Sequence, residues 1–183
     1  MAESDNQQLQ EELKSDIVTH GEELQLDEHC IFCKIIQGKA PATILFKNSE
    51  VTVFYDIHPA SKEHLLIVPN CHHGNPKSVK KEDLPIVEYM HKVGRRILET
   101  KGATMENTRS GFHWPPFNTV QHLHLHMIYP EDEMGMMARL FYKLNSMWFV
   151  TYDWMIDRLK NMPDALPPTK TENPEQGTQE KTG

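Results

Sequence analysis

The sequence predicts an α+β fold with a mainly antiparallel β-sheet, on the basis of two kinds of periodicity. Residues 43–47, 51–55 and 64–68 are short runs of β-branched, aromatic and aliphatic residues, as expected of β-strands. Residues 84–98 instead carry apolar side chains at three- and four-residue spacing, which is typical of an amphipathic helix. Because strands and helices do not alternate strictly along the chain, we expect an antiparallel rather than a parallel sheet.

The first predicted elements are a short helix and a β-hairpin. Residues 31–36 are mostly apolar and are followed by Gly38, so we expect a helix that ends near this glycine. The first two predicted strands are separated only by residues 48–50, a spacing typical of a hairpin. The third strand is apolar enough to be buried and ends at Pro69.

The second half of the chain predicts one long helix and two further strands. Pro85 is compatible with the first turn of the helix, and Gly102 follows its last apolar residues. Strands are predicted near residues 108–112 and 123–129. Residues 136–160 are predicted to form helical turns around an aromatic-rich stretch.

The composition indicates a protein that is neither membrane-bound nor rich in disulfides. The chain has 183 residues, three cysteines and a mean hydropathy of −0.58. No apolar run approaches the roughly 20 residues of a transmembrane helix, and the first residues lack the basic-then-apolar layout of a signal peptide. Three cysteines do not suggest a disulfide framework. We therefore expect a cytoplasmic protein, with the nucleus as a second possible location and no membrane partner.

The net charge of −7 is unevenly distributed. Residues 1–29 contain nine Asp or Glu and one Lys, whereas residues 30–160 contain thirteen acidic and sixteen basic residues. The mildly basic centre suits a small anionic ligand but is too weakly charged to predict a stable nucleic-acid partner. At the ends we predict an acidic segment at residues 1–28, disordered or loosely helical, and a Pro-rich disordered tail at residues 163–183.

Three alternating histidines form the most distinctive feature, the run His122-Leu123-His124-Leu125-His126. In a strand, successive side chains point to opposite faces. The three imidazoles would therefore share one face, ~6–7 Å apart at a rise of ~3.3 Å per residue, with the leucines packed behind them. This spacing allows the histidines to line one side of a ligand the size of a phosphate.

Two kinds of chemistry are compatible with such a face. A neutral imidazole is a nucleophile that can attack phosphorus and form a covalent phospho-imidazole, while an imidazolium neutralises phosphate charge. Alternatively, His-x-His is a common pairing of zinc or copper ligands. The residue types alone leave both possibilities open, together with a purely structural role.

The histidine run closely resembles the His-φ-His-φ-His-φ-φ signature, in which φ is apolar, of the histidine-triad superfamily. Residues 30–36, 54–60 and 64–69 are similar, in the same order, to the opening helix, the ribose-binding turn and the central strand of its Hint branch. The resemblance covers residues 29–142, and residues 143–162 would be a C-terminal extension of this domain. It implies a five-stranded antiparallel sheet with helices packed on it, and a homodimer or higher homo-oligomer in which two sheets join across a shared edge.

The resemblance also implies an activity and the residues that perform it. The reaction would be hydrolysis of a purine nucleoside phosphoramidate, an adenosine 5'-monophosphoramidase activity that releases AMP and could extend to aminoacyl-adenylates. His124 would attack the α-phosphorus, His126 would contact the phosphoryl oxygens and the leaving group, and His64 would orient the nucleophile. Asp56 would accept the ribose hydroxyls. The other implied nucleotide-binding residues are Phe32, Ile35, Phe54, Ile57, Leu125 and Thr119, of which Thr119 stands where many members carry serine.

A structural zinc site is the cofactor that the resemblance suggests. Cys30, Cys33, His72 and His122 follow the Cys-Cys-His-His order of zinc-bearing relatives, in which the first triad histidine is the fourth ligand. Two thiolates and two imidazoles would form a closed tetrahedral site. His73 competes with His72 for the third position, and Cys71 is a further candidate in this segment. No organic cofactor is expected.

Other functions remain compatible with the same triad. Among enzymes they are dinucleoside polyphosphate hydrolysis, cap scavenging and removal of adenylate from DNA ends. From a different class, the chain could be a non-catalytic regulatory protein that binds a nucleotide or zinc.

Overall fold

The computed structural model describes residues 3–14 and 25–163, which form a six-stranded antiparallel sheet with helices on both faces. Across the sheet the strand order is β1-β2-β3-β5-β4-β6. In these residues no helix combines the length and the apolar character needed to cross a bilayer. In chain order the elements are α1 (Glu3–Glu12), α2 (Ile31–Ile36), β1 (Ile44–Lys47), β2 (Val51–Tyr55), β3 (Glu63–Pro69), α3 (Leu84–Thr100), β4 (Arg109–His113), β5 (Leu125–Tyr129), α4 (Met136–Phe141), β6 (Phe149–Thr151) and α5 (Tyr152–Lys160).

The two faces of the sheet bury different sets of side chains. Leu65 and Ile67 of β3 and Met127 of β5 belong to the main hydrophobic core, which also contains the apolar side of α3. The alternate residues Leu66 and Val68 belong to a second cluster with the buried side of α2. This alternation follows from the two-residue period of a strand, and it places the histidines of β3 and β5 on the α2 face, away from α3.

Most of the predicted elements are confirmed. The helix at residues 31–36, the hairpin, the buried strand and the long helix are all present. Pro85 lies in the first turn of α3. Gly38 and Gly102 follow α2 and α3 with φ values of 72° and 82°, which are accessible to glycine at little steric cost.

Of the two alternatives predicted for the N-terminal segment, disordered or loosely helical, residues 3–12 adopt the helical one. Helix α1 occupies part of the acidic segment predicted as disordered or loosely helical, and Leu9 and Leu13 reach the main core. Its attachment includes an ion pair of 2.7 Å between Glu12 and Arg96 of α3. Glutamate and glutamine dominate the composition here, but two leucines four residues apart suffice to anchor one face of a helix. The predicted Pro-rich tail lies outside the described residues, apart from residue 163.

The sheet has six strands rather than the predicted five, because residues 136–160 are not helical throughout. β6 lies within this segment and pairs with β4, so that Gly111, Phe112 and His113 face Thr151, Val150 and Phe149. Three residues are too few to show a two-residue period against the helices on either side. The described sheet therefore ends at β1 and β6, and a sheet that continued into a second copy would have to do so through one of these two strands.

The contact between β4 and β6 leaves no room for a side chain at Gly111. A Cβ at this position would overlap the carbonyl oxygen of Val150 and would lie 2.6 Å from the Phe149 ring. We expect Gly111→Ala to lower the free energy of unfolding by about 1–3 kcal/mol, as overpacking does. Gly135→Ala, where nothing lies within 4 Å, is the control and should change it by no more than about 0.5 kcal/mol. Urea denaturation measures both, and equal stabilities would contradict this account of the β4–β6 contact.

Candidate active site and metal cluster

The three histidines of the run are buried, although only one of them lies on a strand. β5 begins at Leu125, two residues later than predicted, so His122 and His124 precede it and His126 is its second residue. The segment before the strand is held by a hydrogen bond of 2.9 Å from the Leu123 N–H to the His73 carbonyl. The leucines still pack into the main core, so the predicted division between apolar and histidine faces is confirmed.

A backbone carbonyl determines the tautomer of His124. Its Nδ1 lies 2.6 Å from the carbonyl oxygen of His122. Since a carbonyl only accepts, Nδ1 carries the proton and Nε2 keeps a lone pair. Burial lowers the pKa of His124 to about 4, so the ring is neutral near pH 7. Within the described part of the chain, Nε2 has no hydrogen-bond partner and is available as a nucleophile.

A backbone N–H determines the tautomers of His64 and His126 in the same way. The Ala60 N–H donates to Nδ1 of His64 over 3.1 Å, so Nε2 of His64 carries its proton. That Nε2–H donates to Nδ1 of His126 over 2.9 Å. Nε2 of His126 therefore carries a proton, and this buried atom has no partner among the described residues. The site thus contains a nucleophile and an unused donor on neighbouring rings, whose centroids are 5.0 Å apart.

The histidine face is uncharged, which revises the expectation that an imidazolium neutralises phosphate charge. Burial lowers the pKa of His64 to about 3 and lowers that of His126 well below its usual value. A ligand entering this site meets lone pairs and N–H donors of fixed direction rather than positive charges. Its phosphate charge would have to be balanced by hydrogen bonds.

Asp56 lies beside the His64–His126 pair. One of its oxygens accepts the His58 N–H at 2.8 Å, and the other is 3.6 Å from Nε2 of His64 and 3.9 Å from Nδ1 of His126. Because both histidines are neutral, these are polar contacts rather than ion pairs. Burial also raises the pKa of Asp56. The following residue, Ile57, is 85% exposed.

An apolar wall adjoins His124 on the side of α2. The ring of Phe32 is 5.2 Å from the His124 ring and 5.5 Å from that of Phe54, and Ile35 is buried in the same cluster. Two other predicted nucleotide-binding residues lie elsewhere. The Leu125 side chain belongs to the core on the opposite face, which leaves only its backbone near the site, and Thr119 is exposed with no described contact to the histidines.

The sequence did not assign a role to two further residues that pack against the triad. His113, the last residue of β4, has its ring 5.0 Å from that of His126, and Tyr142 lies 5.2 Å from His64 and 5.3 Å from His126. The β4–β5 register pairs Gly111 with His126. Residues two apart in a strand share a face, so His113 lies on the same face of the sheet as Gly111 and His126. The sequence could not show this, because it depends on the register between β4 and β5.

A second cluster brings together the four predicted metal ligands, Cys30, Cys33, His72 and His122, whose ligand atoms all lie within 4.8 Å of one another. Sγ of Cys30 is 3.4 Å from Nδ1 of His122, and Sγ of Cys33 is 3.3 Å from Nδ1 of His72. Nε2 of His122 donates to the Pro69 carbonyl over 3.0 Å, which leaves its Nδ1 with a lone pair toward the sulfurs. Two thiols and two imidazoles in this arrangement could hold a metal ion.

The neighbouring candidates do not join this cluster. Nδ1 of His73 lies 3.5 Å from the Asp83 carboxylate, and Cys71 is absent from the described group of ligands. His72 is placed at the cluster by a hydrogen bond of 2.7 Å from its N–H to the Gln25 carbonyl. Burial raises the pKa of the Cys33 thiol to about 11, so the thiolate that binds a metal would form only with a cation close by.

Comparison with known proteins agrees with these features. A family model described as "Scavenger mRNA decapping enzyme C-term binding" matches residues 29–141. The chain is 40% identical over 137 residues to the mouse adenosine 5'-monophosphoramidase HINT3, covering 73% of this chain and 83% of that protein. It is 38% identical over 103 residues to the Arabidopsis thaliana bifunctional adenosine 5'-phosphosulfate phosphorylase/adenylylsulfatase HINT4, covering 55% and 70%.

Among solved structures, a HIT family hydrolase from Clostridium thermocellum aligns with a TM-score of 0.53 and 33% identity. The alignment covers 56% of this chain and 90% of that one. The family model, the relatives and the fold agree with the histidine geometry, and the chain belongs to the histidine-triad superfamily.

Proposed function

We propose that this chain hydrolyses adenosine 5'-phosphoramidates to AMP through a nucleotidyl-histidine intermediate on His124. The observation that carries the proposal is the fixed tautomer of His124, whose Nε2 is unprotonated and free within the described residues. The name of the mouse relative, an adenosine 5'-monophosphoramidase, supports the same reaction.

The reaction would proceed as two displacements at the α-phosphorus. In the first, Nε2 of His124 forms a bond to phosphorus while the P–N bond of the substrate breaks, and the amine leaves with the electron pair and takes up a proton. In the second, a water oxygen attacks phosphorus, loses a proton and releases His124 together with AMP. The amine takes up one proton in the first step and water releases one in the second, so the overall reaction is balanced.

The neighbouring groups would stabilise the charges that develop. As Nε2 bonds to phosphorus, the His124 ring becomes positive, and the His122 carbonyl that accepts its Nδ1–H is well placed to stabilise it. The unpartnered Nε2–H of His126 would donate to a phosphoryl oxygen or to the departing group. His64 would act as a positioning residue, because its hydrogen bond directs this donor.

The remaining residues would bind the nucleoside. We propose that Asp56 accepts the ribose hydroxyls and that the backbone at Leu125 contacts the phosphate. The purine would lie against the wall formed by Phe32, Phe54 and Ile35, with the exposed Ile57 side chain covering it.

Replacing the nucleophile should abolish turnover. We expect His124→Ala to reduce kcat for an adenosine 5'-phosphoramidate by at least about 10³-fold, as loss of a nucleophile does, and to eliminate the adenylylated protein that a rapid acid quench traps in the wild type. His91→Ala is the matched control, because His91 lies on α3, on the opposite face of the sheet, and should leave kcat within about twofold. Turnover and trapped adenylate that persist in His124→Ala would refute this role of His124.

We propose that the metal cluster binds a structural zinc ion. The support is the donor set, two thiols and two histidine nitrogens, with the His122 tautomer directing a lone pair toward the sulfurs. A bound zinc ion would supply a crosslink between α2 and the segment before β5. The residues of the cluster would then fix His122, whose carbonyl orients the nucleophile.

Metal analysis and melting curves test the zinc site. Protein purified without added metal should contain about one zinc ion per chain, and Cys30→Ser should lose it and lower the Tm by several degrees. Cys71→Ser, outside the cluster, should change neither value. A zinc content near zero in the wild type, with Cys30→Ser melting at the same temperature, would disprove the proposal.

The assembly and the location of the protein are further proposals. We propose a homodimer in the cytoplasm, with the nucleus as a second location. If the two sheets join edge to edge, β1 or β6 forms the contact, since these are the two outer strands of the described sheet.

A further inference from the structure

We propose that His113 selects the leaving group, by accepting a hydrogen bond from the bridging N–H of a phosphoramidate. This inference rests on the proposed function, and it deepens it by naming the atom that the site recognises. It predicts that bonds from phosphorus to an N–H group are favoured over bonds to oxygen or to a fully substituted nitrogen.

A backbone carbonyl fixes the tautomer of His113. Its Nδ1 lies 3.2 Å from the carbonyl oxygen of Trp148, which also accepts the Trp114 N–H at 2.9 Å. Because the carbonyl only accepts, Nδ1 of His113 carries the proton and Nε2 is an acceptor. No described residue donates to this Nε2. The side chain is only 7% exposed, and burial lowers the pKa of His113, so the acceptor form is retained at neutral pH.

His113 and His126 carry opposite hydrogen-bonding groups on adjacent rings. Their ring centroids are 5.0 Å apart with the planes at 85°, and Nε2 of His126 is a donor without a partner whereas Nε2 of His113 is an acceptor. No hydrogen bond joins the two rings. In the proposed complex, one atom of the ligand lies between the two rings and bonds to both nitrogens.

The bridging nitrogen of a phosphoramidate matches this donor–acceptor pair. It carries one hydrogen, which His113 can accept, and one lone pair, which can accept from the Nε2–H of His126. The lone pair becomes more basic as the P–N bond breaks, so the contact with His126 strengthens in the transition state. A bridging oxygen has no hydrogen, and with such a substrate bound the acceptor of His113 would remain unpaired, which is unfavourable.

The rings around His113 hold it in this position. Phe149 of β6 lies 5.2 Å from its ring and Tyr142 lies 5.0 Å from it. In the β4–β6 register His113 pairs with Phe149. The acceptor is therefore preorganised before the substrate binds, which raises its contribution to selectivity.

A pair of isomeric substrates tests the proposal. Adenosine 5'-(N-propyl)phosphoramidate has a bridging N–H, and adenosine 5'-(N-ethyl-N-methyl)phosphoramidate has the same atoms but no N–H. The quantity to measure is the ratio of the kcat/KM values of the two substrates. The two substrates differ in intrinsic reactivity, but this difference is the same for every variant and cancels when the ratio of a variant is compared with that of the wild type. We expect His113→Asn, which keeps a donor to Trp148 but lacks the distal acceptor, to reduce this ratio roughly 5- to 10-fold, as loss of one hydrogen bond does.

The matched variant is His113→Gln, whose amide oxygen can reach the position of Nε2. It should keep the ratio within about threefold of the wild type, and circular dichroism checks that each variant is folded. An unchanged ratio in His113→Asn, with both substrates slowed equally, would show a purely structural role and overturn the inference. A ratio that falls roughly 5- to 10-fold in His113→Gln, as expected for His113→Asn, would overturn the inference too. Either variant therefore tests the inference if the other does not fold. Wild-type protein that cleaves neither substrate would refute the proposed function itself, whereas wild-type cleavage with unchanged ratios refutes only the selection by His113.

Discussion

The hydrogen bond from Nδ1 of His124 to the His122 carbonyl is the interaction on which the rest of the site depends. It leaves Nε2 of His124 as the free lone pair, and it makes the position of the His122 backbone part of the reaction geometry. That backbone is in turn held through the His122 ring, which contacts the Pro69 carbonyl on one side and Sγ of Cys30 and Cys33 on the other. The cysteine–histidine cluster and the nucleophile are therefore connected through His122.

Burial and backbone hydrogen bonds together decide what the histidines can do. Burial lowers the pKa values of His64, His124 and His126, so none of these rings brings a positive charge to the site in the free protein. Each neutral ring has one donor and one acceptor nitrogen, and a neighbouring backbone group or a second histidine determines which is which. Imidazoles in similar sequence contexts thus become a nucleophile and a donor.

The sequence predicts those features that depend on local periodicity. Spacing identifies the two faces around the histidine run and the helices near residues 31–36 and 84–98, and the resemblance to zinc-bearing relatives suggests the four candidate metal ligands. It misses β6, since three residues cannot establish a period. The choice of His72 over His73 depends on the path of a loop, and the approach of His113 to His126 depends on strand register. These properties arise only when distant segments meet.

Strand β6 and the residue before it determine the position of His113. β6 covers the edge of β4, and the residue before it supplies the carbonyl that orients His113. The cysteine–histidine cluster acts on the side of the nucleophile, through the His122 carbonyl. In the proposed reaction, the His-φ-His-φ-His motif would govern attack on phosphorus, whereas residues outside it, on β4 and ahead of β6, would help to select the leaving group. Relatives that share the triad but differ in this C-terminal segment are then expected to differ in leaving group rather than in the nucleotidyl-histidine step, because the carbonyl of Trp148 orients His113, the residue proposed to contact the departing nitrogen beside His126.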